Sequence, residues 1–372
     1  MNARDSEVIA GNLVSKGYKL VDSADKADVV LLNTCSVRQH AEDRVWSEIG
    51  KYKKRNTRDA IHNTKPIIGL VGCMAEYHKY DAFKKAPQLD FVCGPNNIAA
   101  IPFLIEQARN GASKGMAVGQ RQRDEFAYNT NFQGKTNESF VVISEGCNNF
   151  CSYCVVPYVR GIEHSRHYED ILREIKDSIE KGVRDIILLG QNVNSYISCQ
   201  SSAVGCQIEK KVNFIDLLKM VNDVKGLKSF SFITSHPKDA SRELFEAMAK
   251  LEKLKKILHL PLQSGSDRIL KLMNRGYTKK EYLDKVKQYK DIVGGILSSD
   301  IIVGFPTETE NDFLETKKVM QDLKFDNAYI FKYSLRPHTG AAKLTDDVPL
   351  KEKQRRHKIL LDIQKKISRE KR

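Results

Sequence analysis

The chain has 372 residues, and its 61 Lys and Arg residues outnumber its 47 Asp and Glu residues, which gives a formal net charge of +14. This length predicts two or three domains, and the positive charge favours a polyanionic partner such as nucleic acid, although a basic enzyme of another kind would carry it equally well. No segment has the roughly twenty apolar residues that a membrane span requires, and the first residues lack the apolar centre of a signal peptide, so we expect a cytoplasmic protein without a membrane partner.

Residues 1–110 alternate helical and extended patterns in the manner of an α/β domain. The predicted elements are a helix over 5–16, a strand over 27–34, a helix over 38–54 and a strand over 66–72. This alternation predicts parallel strands joined by helical crossovers, in a doubly wound, flavodoxin-like sheet. Cys35 and Cys73 directly follow the two strands, where ligands of such sheets gather.

The sequence pattern of residues 111–372 predicts a linker, a barrel and a terminal helix. Residues 111–137 are polar and lack a steady period, which indicates a linker. Residues 138–345 alternate again, with predicted strands at 139–145, 184–190, 228–234, 257–262, 297–303 and 326–333. Six such units predict a (β/α)6 partial barrel whose chemistry lies at the carboxyl ends of its strands. Residues 346–372 predict a basic amphipathic helix, for which packing on its own domain competes with phosphate contact.

Three cysteines follow the first barrel strand at metal-ligand spacing. Cys147, Cys151 and Cys154 form a C-x3-C-x2-C triplet within GCNNFCSYC. In a reducing compartment such cysteines are metal ligands more often than disulfides. Three thiolates hold a [4Fe–4S] cube and leave one iron open, through which an electron delivered to a bound sulfonium releases a carbon radical. The alternative is a structural zinc knuckle with a distant fourth ligand.

The triplet, with Tyr153 before its last cysteine, resembles the cluster motif of the radical S-adenosylmethionine (SAM) superfamily. Six segments together resemble the MiaB-type tRNA methylthiotransferases: NTCSVR at 33–38, GCMAE at 72–76, GCNNFCSYCVVPYVRG at 146–161, SHPKD at 235–239, HLPLQSGSDRILKLMNRGYT at 259–278 and DIIVGFPTET at 300–309. This resemblance covers nearly the whole chain.

The resemblance implies insertion of sulfur and a methyl group at C2 of an N6-isopentenyladenosine beside the tRNA anticodon. It implies SAM and two [4Fe–4S] clusters as cofactors. Cys147, Cys151 and Cys154 would hold the SAM cluster, Tyr153 would lie near the adenine of SAM, and no catalytic side chain is expected beyond the cluster ligands.

Within this interpretation, the polar and apolar residues at the strand ends are candidates for lining the SAM pocket. They are Gln191, Ser235, Gln263 and Val303. For each of them a packing or hydrogen-bonding role is the alternative.

The resemblance assigns Cys35 and Cys73 to an auxiliary cluster and leaves its third ligand missing. The family carries that ligand in a GCQMN segment, and this chain opens at what resembles the MN of that segment, so we expect an N-terminally truncated form. Cys93 is either a substitute ligand or a buried bystander.

The far end also departs from the family, whose members continue into a small RNA-binding β-barrel domain. Cys199 and Cys206 have no metal-ligand spacing, and we interpret them as bystanders.

The expected macromolecular partner is a tRNA anticodon loop, whose bases are already partly unstacked. Arg160, Lys332 and Arg336 are candidates for contacting its phosphates, and for Arg160 an ion pair with a carboxylate is the alternative. An electron donor of flavodoxin or ferredoxin type and a sulfur donor complete the expected partners.

Three other functions stay open at this point. One sibling family modifies N6-threonylcarbamoyladenosine in tRNA, and another modifies an aspartate of a ribosomal protein. The third alternative is an RNA-binding relative that has lost its activity.

Overall fold

The computed structural model describes residues 1–36, 39–52, 66–119, 137–199 and 211–371. These residues divide into two compact units, one formed by 1–136 with 155–162 and one formed by 137–154 with 163–372. Within these described ranges, no helix combines the length and the hydropathy that a membrane span requires.

The first unit is a four-stranded parallel sheet with helices on both faces. Its helices are α1 (Asn2–Val14), α2 (Gln39–Tyr52), α3 (Cys73–His78), α4 (Asp81–Lys85) and α5 (Ile101–Arg109), and its strands are β1 (Val29–Asn33), β2 (Ile67–Val71), β3 (Phe91–Cys93) and β4 (Gly115–Ala117). The strands lie in the order β1-β2-β3-β4.

Alternate residues of these strands point to opposite faces, and two separate apolar clusters form as a result. Val30 and Leu70 pack against α2, α3 and α4, whereas Val71 and Phe91 pack against α1 and α5. Gly69 sits opposite the Phe91 ring, where an added Cβ would lie 2.4 Å from a ring carbon. The doubly wound α/β arrangement predicted from the alternation is therefore present.

Strand β4 lies inside the segment from 111 to 137 that the sequence predicted as a linker. Gly115–Ala117 pairs in parallel with β3, at the edge of the sheet. A strand of three residues is too short to show a period of two, so the hydrophobic pattern did not reveal it.

The described residues of the second unit include six parallel barrel strands, which lie in two sheets. The barrel strands are β5 (Glu138–Val142), β8 (Asp185–Leu189), β11 (Ser229–Ile233), β12 (Ile257–His259), β13 (Ile296–Val303) and β14 (Asn327–Lys332). Their orders are β11-β8-β5 and β12-β13-β14. All six fall within the predicted strands or differ from them by a residue, and they give the partial-barrel fold that the sequence predicted.

Helices pack on the outside of these strands, and short strand pairs lie in the loops between them. The helices of the second unit are α7 (Tyr168–Glu180), α8 (Phe214–Asn222), α9 (Arg242–Lys250), α10 (Asp267–Leu272), α11 (Lys279–Ile292), α12 (Glu310–Leu323) and α13 (Leu350–Glu370). The short strands are β6 (Ser144–Glu145), β7 (His164–Ser165), β9 (Ile197–Cys199) and β10 (Lys211–Asn213). Helix α6 (Val156–Val159) belongs to the first unit, where Val155 and Val159 pack against Cys73.

The basic helix predicted at the end of the chain packs on its own unit. Leu360 and Ile367 of α13 are buried, and Gln364 Nε2 donates to the carbonyl oxygen of Phe325 at 3.1 Å. Lys353 and Arg356 are buried in ion pairs with Asp346 and Glu308. These two basic residues therefore serve the fold of the second unit.

Candidate functional site

The cysteine triplet lies in the loop that leaves β5 and β6. Cys151 is buried, and Cys147 and Cys154 are half-buried. The loop turns tightly, with Gly146 and Phe150 at φ of 74° and 45°, and the amide of Cys154 donates to the carbonyl oxygen of Cys151 at 2.9 Å. The fold thus gathers the three thiols at the carboxyl end of the first barrel strand.

A buried arginine connects the triplet to the barrel wall. Nη1 of Arg275 lies 3.2 Å from Sγ of Cys151 and 3.3 Å from the hydroxyl of Tyr153. Its Nη2 donates to the carbonyl oxygen of Pro261 at 3.2 Å, and its Nε donates to the hydroxyl of Tyr277 at 3.0 Å. Arg275 therefore fixes the central cysteine and its aromatic neighbour, and places a positive charge beside the thiol.

His236 lies on the other side of Cys151. Its Nε2 is 4.0 Å from the Cys151 Sγ, and its Nδ1 accepts from the backbone amide of Lys238 at 3.2 Å. Burial, followed by the charges of Arg275 and Lys238, lowers the pKa of His236 to about 2. The imidazole is therefore neutral at physiological pH and adds no further positive charge.

The donor set of this loop fits an iron–sulfur cluster. Burial raises the pKa of the Cys147 thiol, and Asn149 Nδ2 lies 3.6 Å from its sulfur. Across the ranges that the structure describes, no three His, Cys, Asp or Glu side chains converge closely enough to hold one metal ion. A [4Fe–4S] cube offers a different iron to each thiolate, so its ligands stand further apart than those of a single ion.

The barrel rim around the triplet presents buried polar atoms without partners. They are Oε1 of Gln191, Oγ of Ser235, Oε1 of Gln263 and Oγ of Ser144. Each follows one of the parallel strands β5, β8, β11 or β12 at its carboxyl end. Since buried polar groups as a rule have hydrogen-bond partners, a polar ligand at the rim would satisfy them.

Backbone strain marks the same rim. Thr234 and Gln263 have φ of 79° and 68°, a left-handed conformation that side chains beyond glycine rarely adopt. Val303, the remaining SAM-pocket candidate, is fully buried at the end of β13. All four rim candidates thus lie at or just beyond the carboxyl ends of barrel strands, and their contact with SAM stays a prediction.

The first unit brings the other two candidate ligands together. A hydrogen bond with Cys35, and then burial, raise the pKa of the Cys73 thiol well above its usual range. Nε of Arg160 lies 3.3 Å from the Cys73 sulfur, and its Nη2 donates to Oδ2 of Asp5 at 2.5 Å. Two adjacent thiols beside a buried guanidinium are suited to a negatively charged metal cluster.

Cys93 contacts a backbone carbonyl in the core of the first unit. Its Sγ lies 3.1 Å from the carbonyl oxygen of Asn97, and the residue is buried among the side chains between the sheet, α1 and α5. Cys206 lies outside the described residues, and Cys199 is described only as part of β9.

The structure corrects one of the three RNA-binding candidates. The Arg160 side chain is 4% exposed and pairs with Asp5, so it fulfils the ion-pair alternative and not the phosphate contact. Arg336 is also buried, whereas Lys332 is exposed at the end of β14. Of the three candidates, Lys332 alone has its side chain open to solvent.

Sequence reasoning missed Arg275 and His236. Both lie in segments that carried the family resemblance, NRGYT and SHPKD, yet neither residue type at those positions has a spacing relation to the triplet. Their approach to Cys151 depends on the closure of the barrel, which a local pattern does not reveal.

The comparisons with protein families match both units. A family model described as the radical SAM superfamily matches residues 141–320, and one described as uncharacterized protein family UPF0004 matches residues 1–94.

Full-length relatives point to one activity. The chain is 39% identical to a tRNA-2-methylthio-N(6)-dimethylallyladenosine synthase of Syntrophotalea carbinolica, with 100% of this chain and 82% of that protein covered. It is 42% identical to the protein of the same name from a Thermoanaerobacter strain, with 100% and 77% covered. A third, from Geobacter sulfurreducens, is 41% identical over 100% of this chain and 81% of its own length.

A solved structure supports the fold alone. The radical S-adenosylmethionine methyltransferase TsrM of Kitasatospora setae, solved with tryptophan and a SAM analogue, superposes with a TM-score of 0.66 at 12% identity, over 92% of this chain and 72% of that one.

Proposed function

Because this chain belongs to the MiaB-type tRNA methylthiotransferases of the radical SAM superfamily, we propose that it converts N6-isopentenyladenosine beside the tRNA anticodon to its 2-methylthio derivative. The observation that carries this function is the cysteine triplet on the first barrel strand, in a chain whose relatives match it from end to end. The dimethylallyl group in the names of those relatives is the isopentenyl group.

Different residues of the second unit would hold the cluster and SAM. When bound, a [4Fe–4S] cluster with SAM on its open iron supplies an electron and a carbon radical. Cys147, Cys151 and Cys154 would hold the cluster, and Arg275 keeps Cys151 in place from the barrel wall.

SAM would bind to the polar groups of the rim. The unpartnered oxygens of Gln191, Ser235 and Gln263 would accept hydrogen bonds from its amino group and ribose hydroxyls, and Tyr153 would lie beside its adenine. Val303 would lie behind the rim, because its side chain belongs to the core that β13 forms with the outer helices. Their burial favours this role because a ligand restores the hydrogen bonds that these oxygens lack.

A second cluster would be held in the first unit by Cys35 and Cys73, which are already adjacent. The buried Arg160 guanidinium lies beside the Cys73 sulfur and would offset the negative charge of ligating thiolates. This cluster would present the sulfur that is methylated and transferred, and an external sulfur donor would restore it after each turnover.

The tRNA would be held through its phosphates by exposed lysines, among which Lys332 follows the last barrel strand. The chain has a formal net charge of +14, which suits both the tRNA and an acidic electron donor of flavodoxin or ferredoxin type.

Metal analysis tests the cluster assignment. Anaerobically reconstituted protein should lose one cluster's share of iron and sulfide when Cys147, Cys151 and Cys154 are all replaced by Ala. Replacing Cys93 by Ala is the matched control and should leave the iron content unchanged, because its thiol faces the Asn97 carbonyl. Unchanged iron in the triple variant would show that the triplet holds no cluster.

Nucleoside mass analysis tests the reaction. The protein, SAM, a reductant and a sulfide source are incubated with tRNAs that carry isopentenyladenosine, threonylcarbamoyladenosine or unmodified adenosine. We expect a methylthio group on the isopentenyl tRNA alone. Modification of the threonylcarbamoyl tRNA, or of a ribosomal peptide in a parallel reaction, would assign the chain to a sibling family.

A further inference from the structure

Strands β12, β13 and β14 have two chemically different faces. Leu258, Leu297 and Ile301 are buried in the core that these strands form with the outer helices. The alternate residues of the same strands belong to the opposite, inner face of the partial barrel. This inner face carries His259, Ser298, Asp300 and Tyr329, and none of them has a place in the cluster or SAM chemistry described above.

Three of these residues form a connected polar group. Nδ1 of His259 lies 2.9 Å from Oγ of Ser298, and Nε2 of His259 lies 3.3 Å from Oδ2 of Asp300. The imidazole therefore lies beside one oxygen of the carboxylate. The Asp300 side chain is 28% exposed. A carboxylate acceptor is thus available to a molecule inside the barrel.

This acceptor lies below the rim where SAM is proposed to bind. Gln263 pairs with Ile301 in the parallel ladder, and its amide donates to the carbonyl oxygen of Asp300, so Asp300 lies one residue, or roughly 3.3 Å, below this rim residue. C2 and N6 of adenine are separated only by N1 and C6, so a base with C2 at the level of Gln263 would hold N6 close to the depth of Asp300.

Two apolar side chains of the same inner face are open to solvent. Tyr329, which pairs with Asp300 in the sheet, is 47% exposed, and Ile257, at the start of β12, is 38% exposed. The Tyr329 ring lies edge-on to His259, with centroids 6.2 Å apart. Exposed apolar groups on the inside of a barrel gain free energy when an apolar ligand covers them.

We propose that Asp300 is a specificity-determining residue that accepts a hydrogen bond from N6–H of the substrate adenine, while Tyr329 and Ile257 cover its isopentenyl group. This inference rests on the proposed function and extends it to the recognition of the base. His259 is the positioning residue, since it acts on the substrate only through Asp300. A base with its C2 at the rim places N6, which lies beyond N1, at the depth of the carboxylate.

The same arrangement discriminates against the sibling substrate. A threonylcarbamoyl group ends in a carboxylate, which would meet the Asp300 carboxylate and the apolar side chains around it. Like charges in a partly buried site repel, and an apolar wall offers a carboxylate no hydrogen bonds. The inner face therefore favours an N6 substituent that is apolar and keeps its N–H.

The test measures native protein and variants on both the natural tRNA and a substrate analogue. Asp300→Leu removes the acceptor at similar volume, and Asp300→Asn keeps an uncharged acceptor. The analogue is a tRNA in which oxygen replaces the N6 nitrogen of isopentenyladenosine, so that the N–H is lost and the tail is kept. Asp284→Asn, on the exposed side of α11, is the control substitution.

We expect Asp300→Leu to lower kcat/KM for the natural tRNA by about 10- to 100-fold, in keeping with a hydrogen bond to a charged group. Asp300→Asn should lose less, and the control should lose nothing. The native protein should lose a comparable factor on the oxygen analogue, and Asp300→Leu should lose nothing more on it. SAM cleavage without tRNA should stay within about twofold of native in every variant, because Asp300 does not touch SAM.

An Asp300→Leu variant that loses the same factor on the analogue as on the natural tRNA would overturn the inference, as would full activity of that variant on the natural tRNA. Loss of SAM cleavage in both Asp300 variants would also overturn it, because the residue would then serve the fold or the cofactor. Failure of the native protein on the isopentenyl tRNA would instead refute the proposed function, so the two outcomes are distinct.

Discussion

Replacing Arg356 by Met should destabilise the second unit strongly, because this arginine of α13 neutralises a carboxylate in the interior. Nη1 of Arg356 donates to Oε2 of Glu308 at 2.7 Å, and the two side chains are 6% and 0% exposed. The same Oε2 accepts from the amide of Gly304 at 2.6 Å. The pair therefore joins α13 to the turn that follows β13, next to Val303 of the rim.

The size of this destabilisation follows from the burial of the Glu308 carboxylate. Removal of one partner of a buried ion pair leaves an uncompensated charge and costs about 3–5 kcal/mol. For a unit of this size such a loss lowers Tm by about 6–20 °C. Lys365→Ala breaks the exposed pair with Asp362, whose side chains are 68% and 58% exposed, and should leave Tm unchanged within error.

The stability that is lost in Arg356→Met should increase with pH. Burial raises the pKa of Glu308 above its usual value of 4.5, and Arg356 opposes that rise. Removing Arg356 should raise this pKa further. A carboxyl group whose pKa is raised by folding favours the folded state below its unfolded pKa and loses that contribution as pH rises through its folded pKa. The destabilisation of Arg356→Met should therefore be smaller near pH 5 than at pH 8.

Urea unfolding of the native protein and of Arg356→Met at the two pH values measures both effects. The double variant Arg356→Met with Glu308→Gln removes the buried charge and keeps an acceptor for the Gly304 amide. It should recover most of the lost stability and lose the pH dependence. A double variant that is no more stable than Arg356→Met alone would refute the argument, since the loss would then come from packing.

Arg275→Lys should retain the cluster iron but slow SAM cleavage by about 10- to 100-fold, because it keeps the charge and loses the hydrogen bonds that hold Cys151 and Tyr153; equal cleavage rates would contradict this. Lys332→Ala should reduce the slope of log affinity for tRNA against log salt concentration by about one, and an unchanged slope would remove Lys332 from the phosphate contacts. Arg160→Met should leave that slope unchanged but destabilise the first unit by about 3–5 kcal/mol in urea unfolding, because it removes the buried guanidinium that pairs with Asp5.

Hydrophobic periodicity was sufficient to predict the principal helices and strands. The strand predicted over 297–303 is β13, Ile296–Val303, whose burial alternates from residue to residue. The helix predicted over 38–54 is α2, Gln39–Tyr52. These elements have one face in the core and one outside it, and such elements leave a clear period in the sequence.

The division of the cysteine loop between the units could not be predicted from the sequence. Cys154 belongs to the second unit, whereas Val155 and Val159 pack in the first unit beside Cys73. Apolar residues after a cluster motif are compatible with burial in either core, and a sequence pattern gives no preference between them. The pairing of Arg160 with Asp5 has the same origin, because 155 positions separate the two residues.

Because several arginines are buried, the net charge of +14 is larger than the positive charge that is available to bind RNA. Arg160, Arg275 and Arg356 are each buried, and their guanidinium groups contact carboxylates, thiols, a tyrosine hydroxyl and backbone carbonyls. A guanidinium in such contacts orients cysteines and turns, and it releases no counterions when tRNA binds. The electrostatic affinity for tRNA must therefore come from side chains that reach solvent, as Lys332 does, because only these neutralise phosphates without breaking a buried pair.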